Sequence, residues 1–276
     1  MNSKYINTEY VNLAEIAEKN ANIYSHAVPF PHIVFKNFLN EDLLNEVLAE
    51  FPELEGKNIR KFNNVREKKL SAQGEQKFGE STKELLHYLN SEPFLEFLQK
   101  LTGIKELLLP DPYFEGGGLH EVKPGGLLKI HADFNRNKAK LDRRLNVLIY
   151  LNKDWKESYG GELELWNKDM TKCEEKILPA FNSLVIFSTT DFSYHGHPTP
   201  LTCPPDRSRR SLALYYYTNG RPAEEFHPEI GVHDTLFKER VGNKEDSSLK
   251  NTLVKRIARK ITPPIIMQAV EKIFHL

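Results

Sequence analysis

The run YFEGGGLHEV at residues 113–122 begins a series of seven short β-rich segments separated by Gly and Pro residues. The other six are GGLLKIHADF (125–134), RLNVLIYLN (144–152), GGELELW (160–166), EEKILPA (174–180), NSLVIFS (182–188) and SLALYYYT (211–218). In GGELELW, Leu163 and Leu165 fall on one face of a strand and Glu162 and Glu164 on the other, because successive side chains of a strand alternate. Short strands at this spacing, without helical patterns between them, predict an antiparallel sandwich or barrel.

Helical patterns precede this β-rich region. Residues 10–24 carry apolar residues at helical spacing, and residues 29–39 alternate as a half-buried strand does. Asn40 is typical of an N-cap for a helix over residues 41–51, and a further helix is predicted from Ser91 to Gly103. We therefore predict a mainly β fold with flanking helices (α+β).

The segment 57–69, which lies between the two capped helices, holds six basic residues and one acidic residue. It has few apolar residues that could anchor it to a core. We interpret it as a solvated loop, with a lid that grips a substrate as the alternative.

The C-terminal tail has a different pattern from the β-rich region. Residues 249–261 place an apolar helical stripe opposite a basic one, and a second amphipathic run follows. Our first interpretation is a helix packed on its own domain, and the alternative is peripheral docking to a membrane surface through residues 249–276. We divide the chain into a domain at 1–230, with its core at about 105–220, and a C-terminal helical extension at 231–276.

The composition excludes several classes of protein. The 276 residues include 38 Lys+Arg against 38 Asp+Glu, so the chain lacks the basic excess of a general nucleic-acid binder. Cys173 and Cys203 are thirty residues apart, which supports neither a disulfide framework nor a cysteine zinc site. The N-terminus lacks a signal-peptide pattern, and no run of about eighteen apolar residues predicts a transmembrane segment. We therefore expect a cytoplasmic protein.

His131 and Asp133 lie two residues apart in the predicted strand KIHADF, so their side chains point to the same face. An imidazole and a carboxylate side by side can bind one metal ion. Eight residues after Phe187, near the end of a buried strand, His195 supplies a second imidazole. Two His and one carboxylate on one face of a metal leave coordination positions open. His197, two residues further on, is the alternative second imidazole.

Arginines are concentrated at the start of the last predicted strand, in RSRRSLALYYYT at 207–218. Arg209 and Ser211 share one face of that strand, and Arg210 lies on the other. A buried guanidinium is costly unless it meets an anion, and its planar fork suits a carboxylate. The segment therefore indicates either a basic surface cluster or a site for a molecule that carries a carboxylate.

Five elements follow one another in a characteristic order: HADF, RLNVLIYLNKDW, GGELELW, LVIFSTTDFSYHGHP and RRSLALYYY. Through them, the stretch from Gly117 to Tyr217 resembles the Fe(II)/2-oxoglutarate-dependent dioxygenases, in particular their prolyl 4-hydroxylase-like branch. The opening PHIVFKNFLNEDLLNEVLAEFP also resembles that branch. The resemblance implies a double-stranded β-helix (jelly-roll) core, with N-terminal helices and the C-terminal helical tail around it.

The resemblance implies that His131, Asp133 and His195 bind Fe(II), and its spacing favours His195 over His197. An Asp at position 133 occupies the place that is Gly or Ala in related halogenases. It therefore implies hydroxylation rather than halogenation. His120, on the strand before the metal-binding one, is expected either to line the substrate pocket or to be structural.

The same resemblance implies that Arg209 binds the distal carboxylate of 2-oxoglutarate, with Ser211 and Tyr150 as further contacts. The interval from the distal histidine to Arg209 is fourteen residues, which is longer than is typical of the branch. The choice between Arg207, Arg209 and Arg210 therefore stays open at this point.

The implied activity is hydroxylation of an unactivated C–H bond, with Fe(II) as the metal and 2-oxoglutarate and O2 as cosubstrates that yield succinate and CO2. Ascorbate is compatible with such a site as an additional reductant. The acceptor is a small molecule or a peptide: a prolyl residue, an amino acid, or a sugar- or lipid-linked metabolite. The alternative is a non-catalytic jelly-roll binding module that retains the fold. Neither interpretation includes nucleic acid as a partner.

Overall fold

The computed structural model describes residues 2–56, 59–227 and 229–246. Within these ranges, no helix is long and apolar enough to cross a membrane. The amphipathic run predicted at 249–276 lies outside the described residues. Its packing on the domain and its docking to a membrane therefore both stay predictions.

Helices and strands alternate with short 3-10 turns along the described chain. The α-helices are α1 (Leu13–Ser25), α2 (Glu41–Ala49), α3 (Glu80–Leu89) and α4 (Glu92–Thr102). The first six strands are β1 (His32–Lys36), β2 (Arg60–Asn63), β3 (Glu67–Ala72), β4 (Gly118–Val122), β5 (Leu127–Ala132) and β6 (Asp142–Tyr150). The others are β7 (Leu163–Trp166), β8 (Cys173–Ile177), β9 (Ser183–Ser188), β10 (Tyr194–His197), β11 (Arg209–Thr218) and β12 (Leu236–Phe237).

These strands form one curled, antiparallel sheet. Ten of them follow one another in the order β1-β9-β6-β11-β4-β3-β5-β10-β7-β8, while β2 pairs with β3 and β12 with β5. Most neighbours in this order are distant in the chain. The topology therefore brings β5 beside β10, and β6 beside β11, although loops and other strands separate them in the sequence.

The two faces of the sheet pack against different partners. On β6, Leu145, Val147 and Ile149 belong to the main core, which they share with the helices. Leu148 and Tyr150 alternate with them and pack in smaller clusters on the other face. This alternation is the strand period of two. The second face forms the interior in which the metal-ligating candidates lie.

Both capped helices of the sequence analysis form close to the predicted bounds, although the Ser91 side chain makes no capping hydrogen bond at the start of the second helix. Asn40 Oδ1 accepts a 3.1 Å hydrogen bond from the Leu43 amide, which caps α2 as a side-chain acceptor at an N-cap does. Helix α4 has Pro93 in its first turn and ends at Gly103, whose φ of 72° is the left-handed conformation that glycine adopts at low cost.

The basic segment is not a solvated loop, and that expectation was wrong. Its residues form the β2–β3 hairpin, and β3 inserts between β4 and β5 in the sheet. Leu70 pairs with Glu121 of β4, and Glu67 pairs with Leu128 of β5. Backbone pairing to two neighbours holds the strand, so the segment needs few apolar anchors of its own.

The first part of the C-terminal tail packs on the sheet. Phe237 of β12 pairs with His131 of β5, and Lys129 Nζ lies 3.0 Å from Asp246 Oδ1. Asp246 also accepts a 2.8 Å hydrogen bond from Arg240 Nε. The architecture is mainly β with flanking helices, as the sequence predicts. The division of the chain at residue 230 stays a prediction.

Candidate metal centre

Two buried histidines face each other across neighbouring strands. His131 of β5 and His195 of β10 are register partners, and their ring centroids are 4.5 Å apart. In each ring, Nδ1 lies 2.9 Å from the backbone carbonyl oxygen two residues earlier, that of Lys129 and of Ser193 respectively. Because a carbonyl only accepts, each Nδ1 carries the proton, and each Nε2 presents a lone pair.

Asp133 completes the cluster just beyond the end of β5. His131 Nε2 lies 3.6 Å from Asp133 Oδ1, and His195 Nε2 lies 3.4 Å from Asp133 Oδ2. One ligand atom from each of the three residues lies within 4.8 Å of the others. The structure therefore brings together the three residues that the sequence analysis selected as metal ligands.

The donor set fits a divalent transition metal. Imidazole nitrogen suits iron, copper, nickel and zinc, and two His with one carboxylate is the set typical of non-haem Fe(II) sites. The Nδ1 contacts orient both imidazoles by the outer hydrogen bond that metal-ligating histidines usually make. His131 and His195 are 4% and 5% exposed, so the Nε2 lone pairs face the carboxylate rather than bulk water.

Two residues of β6 hold Asp133 and were missed by the sequence analysis. Arg143 Nη2 donates to Asp133 Oδ2 over 3.0 Å, and Asn146 Nδ2 donates to the same oxygen over 2.8 Å. Arg143 also donates to Asn146 Oδ1, which closes a three-residue network. Asp133 Oδ1 receives neither of these bonds, so it is the carboxylate oxygen available to a metal.

Arg143 is a cation enclosed by aromatic rings. Its guanidinium carbon lies 3.4 Å from the ring centroid of Tyr215 and 4.5 Å from that of Phe134. Burial tends to lower the pKa of Arg143, but the Asp133 charge together with Tyr215 and Tyr217 outweighs burial and raises the pKa. Burial likewise tends to raise the pKa of Asp133, yet Arg143, with the nearby histidines, holds that pKa well below its usual value. The carboxyl is therefore ionised.

Two of the buried histidines, His195 and His197, are neutral because burial lowers their pKa values. Burial lowers the pKa of His195 to about 4, against the opposing effect of Asp133. Burial also holds the pKa of His197 well below its usual value, and Arg209 acts in the same direction. His197 does not belong to the group whose ligand atoms converge within 4.8 Å among the described residues. The geometry thus favours His195 over the alternative His197.

Arg209 enters the same interior from β11. Its Nε donates to the carbonyl oxygen of Gly161 over 2.8 Å, and its Nη2 donates to the hydroxyl of Tyr150 over 3.1 Å. The side chain is buried. Within the part of the chain that the structure describes, no carboxylate pairs with it. A buried guanidinium with only neutral partners retains donors and charge for an anion.

The neighbouring arginines have other partners. Arg207 Nη1 donates to the Lys153 carbonyl oxygen over 2.9 Å, and Arg210 Nε donates to Glu121 Oε1 over 3.2 Å. Of the three arginines that the sequence analysis left open, Arg209 is the one whose guanidinium bonds Tyr150.

Ser211 and His120 lie in one row with Tyr150. Ser211 pairs with Tyr150 of β6 on one side and with His120 of β4 on the other. His120 Nε2 lies 3.0 Å from the carbonyl oxygen of Gly116, and burial lowers the pKa of His120 to about 3. The ring is therefore neutral, and within the described ranges its hydrogen-bond partner is the Gly116 carbonyl oxygen.

A cavity of about 400 Å³ opens onto the metal-ligating cluster. His131, Asp133 and Tyr215 are among the residues that line it. The β2–β3 hairpin forms one wall, with Arg60 and Lys69 among the lining residues. The hairpin thus takes the position of the substrate-gripping element that was the alternative interpretation of this segment.

Comparisons with known proteins agree with this architecture. A family model described as the 2OG-Fe(II) oxygenase superfamily matches residues 117–217. The prolyl 3-hydroxylase OGFOD1 of Xenopus laevis is 29% identical to the chain over 175 residues, which is 61% of this chain and 32% of that protein. The chain therefore spans about a third of the length of this curated relative.

Solved structures show the same fold. A prolyl-4-hydroxylase from Pseudomonas putida matches with a TM-score of 0.52 and 17% identity, covering 75% of this chain and 100% of that chain. A prolyl hydroxylase from Trichoplax adhaerens, solved with a peptide fragment of the hypoxia inducible factor oxygen degradation domain, matches with a TM-score of 0.56 and 19% identity. That match covers 77% of this chain and 93% of the other. These likenesses confirm the predicted jelly-roll core.

Proposed function

Residues 117–217 match the model of the 2OG-Fe(II) oxygenase superfamily, and from this premise we propose that the chain is an Fe(II)- and 2-oxoglutarate-dependent dioxygenase that hydroxylates an unactivated C–H bond. The observation that carries the proposal is the cluster of His131, Asp133 and His195. Both imidazoles present Nε2 to one carboxylate, and the ligand atoms lie within 4.8 Å.

In this proposal, His131, Asp133 and His195 hold the iron. Arg143 and Asn146 bond Asp133 Oδ2 and so fix the carboxylate with Oδ1 towards the metal. When bound, Fe(II) together with 2-oxoglutarate and O2 supplies the oxidising chemistry that inserts oxygen into the acceptor and leaves succinate and CO2. The chain contributes the orientation of the ligands and a buried environment around them.

Arg209 is the proposed partner of the distal carboxylate of 2-oxoglutarate. Its burial, its lack of a carboxylate partner among the described residues and its bond to the Tyr150 hydroxyl support this role. Tyr150 can turn its hydroxyl proton towards the same carboxylate, because the oxygen accepts from Arg209. Ser211 is the neighbour of Tyr150 in the sheet and is proposed as a further contact.

We propose a prolyl residue of a peptide as the acceptor, ahead of a free amino acid or a sugar- or lipid-linked metabolite. The support is the names of relatives from three organisms, all of them prolyl hydroxylases. The cavity of about 400 Å³ at Asp133 is large enough for one such ring and its neighbouring backbone.

The first experiment tests the site. Anaerobic addition of Fe(II) and 2-oxoglutarate to the full chain should produce a weak visible charge-transfer band. Asp133→Ala should abolish it, while His87→Ala, on the surface of α3, should leave it unchanged. Absence of the band in the parent protein would favour the non-catalytic binding module. A band unchanged in Asp133→Ala would contradict the assigned ligands.

The second experiment tests the acceptor. Release of succinate is measured with prolyl peptides, free amino acids and sugar conjugates, each with and without ascorbate. We expect stimulation by prolyl peptides above the rate without acceptor, and a mass increase of one oxygen on the peptide. Stimulation by a sugar conjugate alone would contradict the prolyl acceptor but not the oxygenase activity.

We also propose a cytoplasmic location. Both cysteines are free, as is usual in a reducing compartment. Fractionation of source cells, with detection of the chain by antibody, tests it; recovery in an oxidising compartment would contradict it.

A further inference from the structure

His197 is a buried histidine that the proposed reaction does not use. It is 4% exposed and lies on β10, two residues beyond His195. The pairing of β10 with β5 is irregular between these two histidines, but His197 lies close enough to Arg209 and His131 for both to act on its charge, which places its ring in the same interior. An imidazole at this depth needs partners for its ring nitrogens, because burying an unpaired polar group costs free energy.

Among the residues that the structure describes, none is a hydrogen-bond partner of the buried Nδ1 atom of His197. This distinguishes it from His131 and His195, whose Nδ1 atoms each meet a backbone carbonyl oxygen at 2.9 Å. Buried polar side-chain atoms in native proteins are bonded in the large majority of cases, and an exception calls for an explanation such as a ligand. The orphaned nitrogen is therefore evidence for a missing partner.

The position of His197 shows where that partner would lie. On the neighbouring strand β7, Leu165 pairs with His195 and Glu164 with Gly196. Because the two strands are antiparallel, the step from His195 to His197 leads along β7 towards Gly161. The carbonyl oxygen of Gly161 is the acceptor that anchors Arg209. His197 therefore lies on the path from the metal cluster to Arg209.

A molecule that joins the metal to Arg209 must pass His197. In the proposed function that molecule is 2-oxoglutarate, which carries an oxygen-rich group at each end. We propose that His197 positions this cosubstrate, by a hydrogen bond between its unpartnered ring nitrogen and an oxygen of the diacid. The inference rests on the proposed function, and it assigns to His197 a binding role that is distinct from metal ligation.

The test is 2-oxoglutarate binding to the anaerobic Fe(II)-loaded full chain, measured by calorimetry and by the visible band. His197→Leu keeps a side chain of similar volume and removes both nitrogens. We expect its Kd for 2-oxoglutarate to rise about tenfold or more, the effect of losing one hydrogen bond to a charged group. His197→Gln restores a polar amide and should return the Kd to within about threefold of the parent value. His87→Leu, on the surface, is the control for the substitution.

Affinity for Fe(II) in the absence of 2-oxoglutarate shows whether His197 acts as a metal ligand or as a residue that positions the cosubstrate. We expect that affinity to be unchanged in His197→Leu. If His197→Leu binds 2-oxoglutarate with the same Kd as the parent protein, the inference is overturned. A loss of Fe(II) affinity large enough to explain the weaker 2-oxoglutarate binding would also overturn it. Should His197→Leu unfold, His197→Ala, which also lacks both ring nitrogens, decides in its place: an unchanged Kd for 2-oxoglutarate at unchanged Fe(II) affinity overturns the inference. Absence of 2-oxoglutarate binding to the parent protein contradicts the proposed function itself.

Discussion

Arg143 Nη2 donates a 3.0 Å hydrogen bond to Asp133 Oδ2, and the arginine is 1% exposed. This buried cation lets Asp133 stay ionised beside the imidazoles of His131 and His195. The rings of Tyr215 and Phe134 cover the guanidinium and replace water as its neighbours. The pair therefore sets the charge of the candidate metal centre before any metal binds.

Removal of that cation should destabilise the metal-free protein. Arg143→Met leaves Asp133 buried without its charge partner, which should lower the free energy of unfolding by about 3–5 kcal/mol. A divalent metal supplies the missing positive charge, so Fe(II) should recover part of the loss under anaerobic conditions. Urea unfolding with and without metal measures both effects.

The control is Lys100→Met. Lys100 Nζ lies 2.7 Å from Glu18 Oε1, but the two side chains are 44% and 67% exposed, so the loss of this pair should cost only about 0–1 kcal/mol. Equal destabilisation by the two substitutions would contradict the special role of Arg143.

Loss of Arg209 should weaken binding of 2-oxoglutarate. Arg209→Leu removes the buried guanidinium and should raise the Kd by about 10- to 100-fold, because a charge-assisted, forked contact is lost. Arg210→Leu is the matched control, since Arg210 bonds Glu121 instead. Calorimetry on the anaerobic Fe(II)-loaded protein distinguishes the two. A larger rise in Kd from Arg210→Leu than from Arg209→Leu would contradict the assignment of Arg209 as the 2-oxoglutarate-binding arginine.

Asp246 should make folding stability depend on pH. Burial tends to raise its pKa, but hydrogen bonds from Arg240 and Lys129 outweigh this and lower the pKa to about 2. Because the folded pKa lies below the unfolded value of 3.8, the stabilisation is present above pH 4 and is lost as the pH falls towards 2. Asp246→Asn should therefore cost about 2 kcal/mol at pH 7.

That cost should shrink as the pH falls. Urea unfolding of the parent and of Asp246→Asn at pH 7, 5 and 3 measures the difference, with exposed Asp169→Asn as the control. A cost for Asp246→Asn that stays constant down to pH 3 would show that lost packing, rather than ionisation, is responsible.

The C-terminal segment should contribute to the stability of the candidate site. A chain that ends at residue 230 lacks β12, which pairs with β5 at His131, and lacks Asp246, the partner of Lys129. Since a buried Lys129 would then have no charge partner, we expect a loss of about 3–5 kcal/mol relative to a chain that ends at residue 246. Equal thermal unfolding of the two chains would support a domain boundary at 230.

Some helix boundaries could not be read from local sequence. Helix α3 begins after Gly79, which has no side chain to cap it. Glu50, at the end of α2, accepts hydrogen bonds from the Ser81 and Thr82 amides instead. The cap of one helix thus comes from another, about thirty residues earlier. The helix was missed because its start signal is a tertiary contact.

The sequence by itself determined the features that depend on neighbours in the chain. Local periods place His131 and Asp133 on the same face of the chain and mark the series of short strands. A local hydrogen bond marks the cap at Asn40. The relative positions of Asp133 and Arg143, and the place of β3 between β4 and β5, were decided only by the tertiary structure. Register between strands that are far apart in the chain follows from the burial of whole faces, and no local pattern encodes it.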